Sequence, residues 1–331
     1  MRAILFTGRD EVAFTDLPEP RPGPGEVLVE VRASGVCHTD FEVLRANYGA
    51  SAFPLVPGHE YAGIVAEIGP DVEGFDVGDR VVVDPNLECG ACRACRRGWT
   101  HLCETLGAYG VTRNGGFAER SVVKASRAHS IGDMPFEMAA LAEPMGCVLN
   151  GLDAARAERA GSAIVFGAGP IGMLLAIGMR VSGVKEIALV DIDESRLDFA
   201  RGFGFEAMAA TSADLETRRE GADLVADATG VPAVARDLTR YVANGGVGLF
   251  FGVCPSDARI EIAPFELFRR QITLAGSHSL NHNIPQALAA LAAFGPEIGR
   301  LVSHQFSLEE TGGVFTGHAP KGGMKIQYVR S

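Results

Sequence analysis

Tryptophan occurs once in this chain of 331 residues, cysteine seven times, and aromatic residues make up 7% of it. The longest apolar run, Pro170 to Met179, stops at Arg180, short of the ~20 residues that a membrane helix needs. Positive charge is scarce too. The net charge is −11, and the densest basic spot, Arg93, Arg96 and Arg97, is too small to displace the counterions of a nucleic acid. Neither a nucleic acid nor a membrane is an expected partner. The N-terminal apolar run breaks at Gly8, Arg9 and Asp10 before the core of a signal peptide forms, so a cytoplasmic protein is expected, a setting in which disulfides are rare.

With 47% hydrophobic and 21% charged residues, and 41 glycines spread without a period, the composition is that of a globular protein. The length points to two domains. EVLVEVRASGV, YAGIVAEIG and DRVVVDP read as strands separated by Gly and Pro punctuation, which makes the first third β-rich. From about Gly161 the rhythm changes. The strands SAIVF, EIALVDID, ADLVADATG, VGLFFGV and ITLAGS alternate with helices over PIGMLLAIGMRVSG, ESRLDFARGFG and VPAVARDLTRYVANGG, the pattern of βαβ units on a parallel sheet. NIPQALAALAAFG reads as a helix and GGMKIQYVRS as a closing strand.

Four of the cysteines crowd into CGACRACRRGWTHLC as Cys89, Cys92, Cys95 and Cys103. Two-residue spacers with flexible Gly90 and Gly98 suit a tetrahedral four-thiolate zinc site, which has no open position and is therefore structural. An iron–sulfur cluster or a pair of disulfides uses the same residues. A second set is scattered: Cys37 in GVCHTD, His59 and Glu60 in PGHEYAG, and Glu143 in AALAEPMGC. Each is weak alone, but together they supply the thiolate, imidazole and carboxylates of a catalytic zinc with a position left for substrate. Cys147 and Cys254 fit neither set and read as free thiols.

Gly167-Ala168-Gly169-Pro170-Ile171-Gly172 follows a strand and opens a helix, and Asp191 ends the next strand about 20 residues on, the fingerprint of a dinucleotide site. The helix N-terminus faces the pyrophosphate. The Asp191 carboxylate accepts from the ribose hydroxyls and repels a 2′-phosphate, favouring NAD over NADP, while nearby Arg196 softens that preference.

GVCHTD, GHE, the four-cysteine lobe and GAGPIG, in this order over essentially the whole chain, resemble the zinc-dependent medium-chain dehydrogenases. LAEP in place of a cysteine ligand is similar to the polyol (sorbitol-type) and threonine dehydrogenase branch. The resemblance implies an α/β protein with a GroES-like catalytic domain at 1–146 and 282–331 and a Rossmann NAD-binding domain at 147–281. It implies hydride transfer from a secondary hydroxyl of a polyol to NAD+, with a threonine or simple secondary alcohol as the other substrate classes and a non-enzymatic redox sensor as the reading from another class. By position, Cys37 and His59 are zinc ligands, with Glu60 and Glu143 sharing the carboxylate role. Thr39 takes the substrate proton, and Glu42 stands where relatives often carry a relay histidine. His38 faces the pyrophosphate, Arg196 the adenosine ribose, and Lys325 is a cofactor-side cation. Gly252, Val253, Ser277 and His278 contact the nicotinamide. Sorbitol-type enzymes carry an arginine and a tyrosine where this chain has Ser279 and Leu280; Asn281, His282 and His278 are left either to bind a polyhydroxy chain or to cap the following helix. A homodimer or homotetramer is implied.

Overall fold

The computed structural model describes residues 1–48, 53–320 and 322–330. It divides into two compact units, Met1–Glu143 with Asn281–Ser331, and Pro144–Leu280. Among the described residues, no helix is long and apolar enough to cross a membrane.

The first unit is built on a seven-stranded sheet. Its central strand, Glu26–Gly35, alternates in sequence because one face is core: Val27, Val29 and Val31 are fully buried, packed with Tyr61, Val65 and Phe117. Phe6 and Phe117 meet the ring of Phe315 edge-on, with centroids 5.3 and 5.6 Å away, the arrangement that ring quadrupoles favour. The strand pairs antiparallel with Glu60–Ile68, Arg120–Lys124 and Lys325–Val329. Register shifts at Leu28/Val29 and Val31/Ala33 bend the sheet, as bulges do. The outcome is local and functional. Gly35 pairs with Glu60 on one side and Gln327 on the other, so Cys37, His59, Glu60 and Lys325 come together at one end of three adjacent strands.

The second unit holds a six-stranded parallel sheet in the order Glu206–Ala209, Glu186–Asp191, Ser162–Phe166, Ala222–Asp227, Val242–Phe250, Thr273–Gly276. Its strands are continuous apolar runs because helices cover both faces of such sheets. The strand order reverses beside Ser162–Phe166, and the carboxyl ends flanking such a reversal are where α/β sheets bind ligands. The expected α/β class, one β-rich domain and one doubly wound parallel sheet, is the class observed. One element is corrected. The helix expected over VPAVARDLTRYVANGG is only Pro232–Asp237, followed by a tight turn at Leu238–Arg240. The strand begins already at Val242, with Gly245 at φ +80 and a register shift between Ala222 and Leu224 absorbing the extra residues.

Within the first unit, His282 joins a buried charge cluster. Its Nδ1 lies 3.5 Å from Asp84 and its Nε2 3.3 Å from Glu88, while Arg127 reaches Asp84 at 3.5 Å and Glu88 at 2.5 Å. Asp84 is fully buried. Two carboxylates against one guanidinium favour a protonated imidazole. The Asp84 carboxylate, 3.5 Å away, raises the His282 pKa most and the Glu88 charge adds to it, outweighing burial and the Arg127 charge; neighbouring His129 is pushed down, first by burial. A raised folded-state pKa contributes stability that is complete below the unfolded value of about 6.5 and is lost as pH rises through the folded value. Urea midpoints at about pH 6 and about pH 9 are therefore expected to fall more for the wild type than for His282→Gln; parallel declines would contradict the cluster's role.

Candidate functional site

Cys37 precedes the helix His38–Leu44, and Asp40 in its first turn accepts the Cys37 N–H at 2.8 Å. The other Asp40 oxygen takes the Gly58 N–H at 3.3 Å and lies 3.3 Å from His59 Nδ1. Nδ1 makes no aligned hydrogen bond, so Asp40 acts on the ring chiefly through charge. This fully buried carboxylate thus orients both residues, as partners behind metal-ligating histidines do. The sulfur of Cys37, a nitrogen of His59 and an oxygen of Glu60 all lie within 4.8 Å of one another.

Glu60 does not stand alone. The Lys325 ammonium lies 2.6 and 2.5 Å from its two oxygens, and both side chains are almost fully buried. Lys325, expected as a cofactor-side cation, forms its ion pair with Glu60 inside the first unit. A Cβ on Gly35 would sit 2.2 Å from Glu60 Oε2 and 3.0 Å from Lys325 Cε, so the pair occupies the space of the missing side chain. Glu143 is buried in the first turn of helix Ala142–Ala154.

The electrostatics test whether a cation fits. Burial presses the pKa values of His59 and Lys325 down, yet both come out raised: for His59 the charges of Asp40 and Cys37 prevail, for Lys325 those of Glu60, Cys37 and Glu143. Raised values for two buried cationic groups mark an excess of negative charge around them. Thiolate, imidazole and carboxylate donors at this spacing fit zinc.

Thr39 is half-buried in the helix's first turn. His38 is exposed, with Nε2 3.6 Å from Glu42. Glu42 accepts from Arg45 at 3.0 Å and Asn47 at 3.3 Å; these bonds outweigh slight burial and lower its pKa, making it a weaker base than an ordinary glutamate.

The four sulfurs of Cys89, Cys92, Cys95 and Cys103 also lie within 4.8 Å of one another. None of the seven cysteines, all of them among the described residues, is disulfide-bonded, so the disulfide alternative is set aside, and Cys147 and Cys254 are half-buried thiols. Backbone amides point at the sulfurs: Cys92 N–H to Cys89 at 3.3 Å, Cys95 N–H to Cys92 at 3.5 Å and Cys89 N–H to Cys103 at 3.3 Å. Amide bonds, that from Cys95 foremost, bring the Cys92 thiol down to about 6, whereas burial and the neighbouring thiols push Cys95 up to about 12. Four converging sulfurs, one readily ionised, fit a closed metal site.

In the second unit the glycines are required by close approach. Gly167 has φ +99, and a Cβ on Gly172 would lie 1.7 Å from the Gly167 carbonyl. Gly169 precedes the helix Pro170–Val181, with Pro170 in its first turn and Ile171 after it. Asp191 accepts from Ala168 N–H at 2.7 Å, and from Ile192 and Asp193 N–H at 2.7 and 3.0 Å. It is thereby locked to the glycine loop. Arg196 Nη1 lies 3.8 Å from it and near Gly169. Gly252 and Val253 pack against Gly230, where any Cβ would strike backbone within 2.4 Å. The buried Asp227, not singled out in the sequence, anchors this pair of loops. Its carbonyl accepts Gly252 N–H at 2.7 Å and its carboxylate Thr229 N–H at 2.8 Å. Ser277 Oγ is buried without a hydrogen bond, and the His278 backbone carbonyl accepts from Asn150 at 3.2 Å. Asn281 and His282 are bound within the first unit and cap no helix; Asn283 precedes helix Ile284–Phe294 and makes no side-chain cap either.

Family models for the alcohol dehydrogenase GroES-like domain and for zinc-binding dehydrogenases match residues 23–133 and 170–293. The chain is 52% identical over 99% of both lengths to D-altritol 5-dehydrogenase of Agrobacterium fabrum. It is 35% identical to D-arabinitol dehydrogenase 1 of Uromyces fabae, over 94% of this chain and 91% of the relative. A crystal structure from Sinorhizobium meliloti 1021, described as a zinc-binding dehydrogenase bound to NADP, superposes with a TM-score of 0.93 at 29% identity over 99% of both chains. The chain belongs to the zinc-binding dehydrogenase family, with a GroES-like domain and a Rossmann-type domain. It is an oxidoreductase of that family.

The Glu60–Lys325 pair gives a direct test of this geometry. Removing one partner of a buried pair costs about 3–5 kcal/mol. Lys325→Met is expected to lose about that much unfolding free energy in urea, and Lys325→Met with Glu60→Gln to recover most of it. A loss below about 1 kcal/mol for the single variant would contradict the pairing.

Proposed function

We propose that the chain oxidises a secondary hydroxyl of a sugar alcohol, a hexitol of the D-altritol kind, to the ketose and passes the hydride to NAD+. The observation that carries the chemistry is the convergence of the half-buried Cys37 with the buried His59 and Glu60, their donor atoms within 4.8 Å of one another. The likeness to the D-altritol 5-dehydrogenase of A. fabrum, at 52% identity, carries the substrate class. In this reading Met1–Glu143 with Asn281–Ser331 is the catalytic domain, and Pro144–Leu280 the NAD domain.

Cys37 and His59 hold the zinc, with Glu60 and Glu143 as the carboxylates of the set, and Cys89, Cys92, Cys95 and Cys103 hold a second, structural zinc. When bound at the first site, zinc acidifies an adjacent hydroxyl and so eases release of hydride from its carbon. Asp40 and Lys325 keep the ligand side chains in place. Thr39 takes the substrate proton through its hydroxyl, and the His38–Glu42 pair, in contact on the exposed face of the helix, carries it outward. In the NAD domain Gly167, Gly169 and Gly172 admit the pyrophosphate at the start of the helix Pro170–Val181, where Ile171 offers its N–H. Asp191 accepts the ribose hydroxyls, and Arg196 partly offsets its charge, which supports a preference for NAD without forbidding NADP. Backbone at Gly252, Val253, Ser277 and His278 lines the nicotinamide side. A homo-oligomer formed at the edge strand Thr273–Gly276 is supported by two exposed rings on the preceding helix, Phe265 and Phe268.

NADH formation over a panel of hexitols, pentitols, threonine and short secondary alcohols tests the reading. The highest kcat/KM is expected for a hexitol, and threonine or 2-propanol at the top would contradict it. Thr39→Val is expected to lower kcat by about 10²–10⁴-fold with NAD+ affinity unchanged; wild-type turnover would remove Thr39 from the proton path.

A further inference from the structure

The chain returns from the second unit to the first at Leu280–Asn281, and what it meets there is the four-cysteine lobe. The Asn281 carboxamide oxygen accepts Thr100 Oγ1–H at 2.7 Å and Thr100 N–H at 3.2 Å, and its amide donates to the Gly98 carbonyl at 3.0 Å. Gly98 and Thr100 lie in the loop between Cys95 and Cys103. One residue on, His282 enters the cluster of Asp84, Arg127 and Glu88, and Glu88 directly precedes Cys89. Both flanks of the lobe are thus gripped by two consecutive residues.

The backbone on either side is held in an uncommon shape. Ser279 and His282 both have φ +56, a left-handed conformation that non-glycine residues adopt only where their surroundings impose it. Just before the return, Asn150 donates to the carbonyls of His278 at 3.2 Å and Ser279 at 2.9 Å. Within the second unit His278 and Ser279 are therefore held by Asn150, and within the first unit Asn281, the next residue after Leu280, is held by the loop that carries the four converging sulfurs.

We propose that Asn281 is a positioning residue that couples the four-cysteine lobe to the Ser277–Leu280 segment, so that metal occupancy of the lobe and binding of NAD+ are thermodynamically linked. The proposal rests on the reading of Ser277 and His278 as nicotinamide-side residues. A lobe that acted only as a staple would stabilise the fold and leave nucleotide affinity alone. A lobe that holds Asn281 sets the backbone conformation that the nucleotide meets, and coupling of this kind is reciprocal: bound NAD+ must hold the lobe's metal more tightly by the same factor.

The chain supplies its own reporter. Its one tryptophan is Trp99, between the two residues that Asn281 binds, and the Arg97 guanidinium stacks 4.1 Å from its ring. Zinc-loaded wild-type enzyme titrated with NAD+ is expected to change Trp99 emission. NAD+ is also expected to raise, by about 5-fold or more, the free chelator concentration at which half of the metal-loss emission change is reached at equilibrium. Asn281→Ala should still bind NAD+ by calorimetry, more weakly, while both emission effects vanish. Asn281→Asp keeps the acceptor for Thr100 and should retain part of them, and it provides the comparison if the alanine variant folds poorly. Wild-type emission and metal release indifferent to bound NAD+, or an Asn281→Ala response equal to wild type, would overturn the proposal. A His278→Pro variant, which deletes the backbone N–H at that position, with wild-type NAD+ affinity would instead remove the nicotinamide-side reading, a result separate from the coupling seen at Trp99.

Discussion

An excess of buried negative charge at one end of the first unit's sheet is the constraint on which the rest of this protein depends. The Cys37 thiol and the carboxylates of Asp40, Glu60 and Glu143 are gathered there, with Lys325 and His59 as the groups set against them. Burying a carboxylate without a partner costs several kcal/mol, so such a set persists only where cations complete it. Lys325 neutralises one acid permanently. The charges of Asp40 and Cys37 that raise the His59 pKa act equally on any cation at the site, and thiolate, imidazole and carboxylate together select zinc over the harder divalent ions.

The nucleotide unit works by a different economy. Its key positions are backbone, not side chain: Gly172 against the Gly167 carbonyl, and Gly252 and Gly230 against each other. Close approach there brings N–H groups to where a phosphate or an amide would need them. Asp191 is itself fastened by three backbone amides, so the carboxylate proposed to meet the ribose is part of the loop's own architecture.

Much of this was legible in the sequence, for physical reasons that can be named. Short-range patterns survive folding: GAGPIG after a buried strand, and cysteines separated by two residues, bring their own geometry. The parallel sheet was readable because its strands are buried on both faces and carry unbroken apolar runs. What escaped depends on long-range register. That Lys325 reaches Glu60 follows from Gly35 pairing with both neighbouring strands, and no local motif announces it. Asp40 left a trace, standing three residues after Cys37 at the spacing of a capping box, but its reach to His59 is tertiary. Asn281 left none, since a lone asparagine before a helix reads as a cap. The misjudged helix at VANGG failed because Gly245 and Gly246 are poor helix formers, and pairing beside Ala222–Asp227 decided the matter.

The most direct measurement is hexitol-dependent NADH formation by enzyme stripped of metal with a chelator and then reconstituted with one equivalent of zinc after another. The account predicts that stripped enzyme is silent while still folded, and that turnover returns with zinc. Oxidation by the stripped enzyme at the rate of the zinc-loaded form would contradict it.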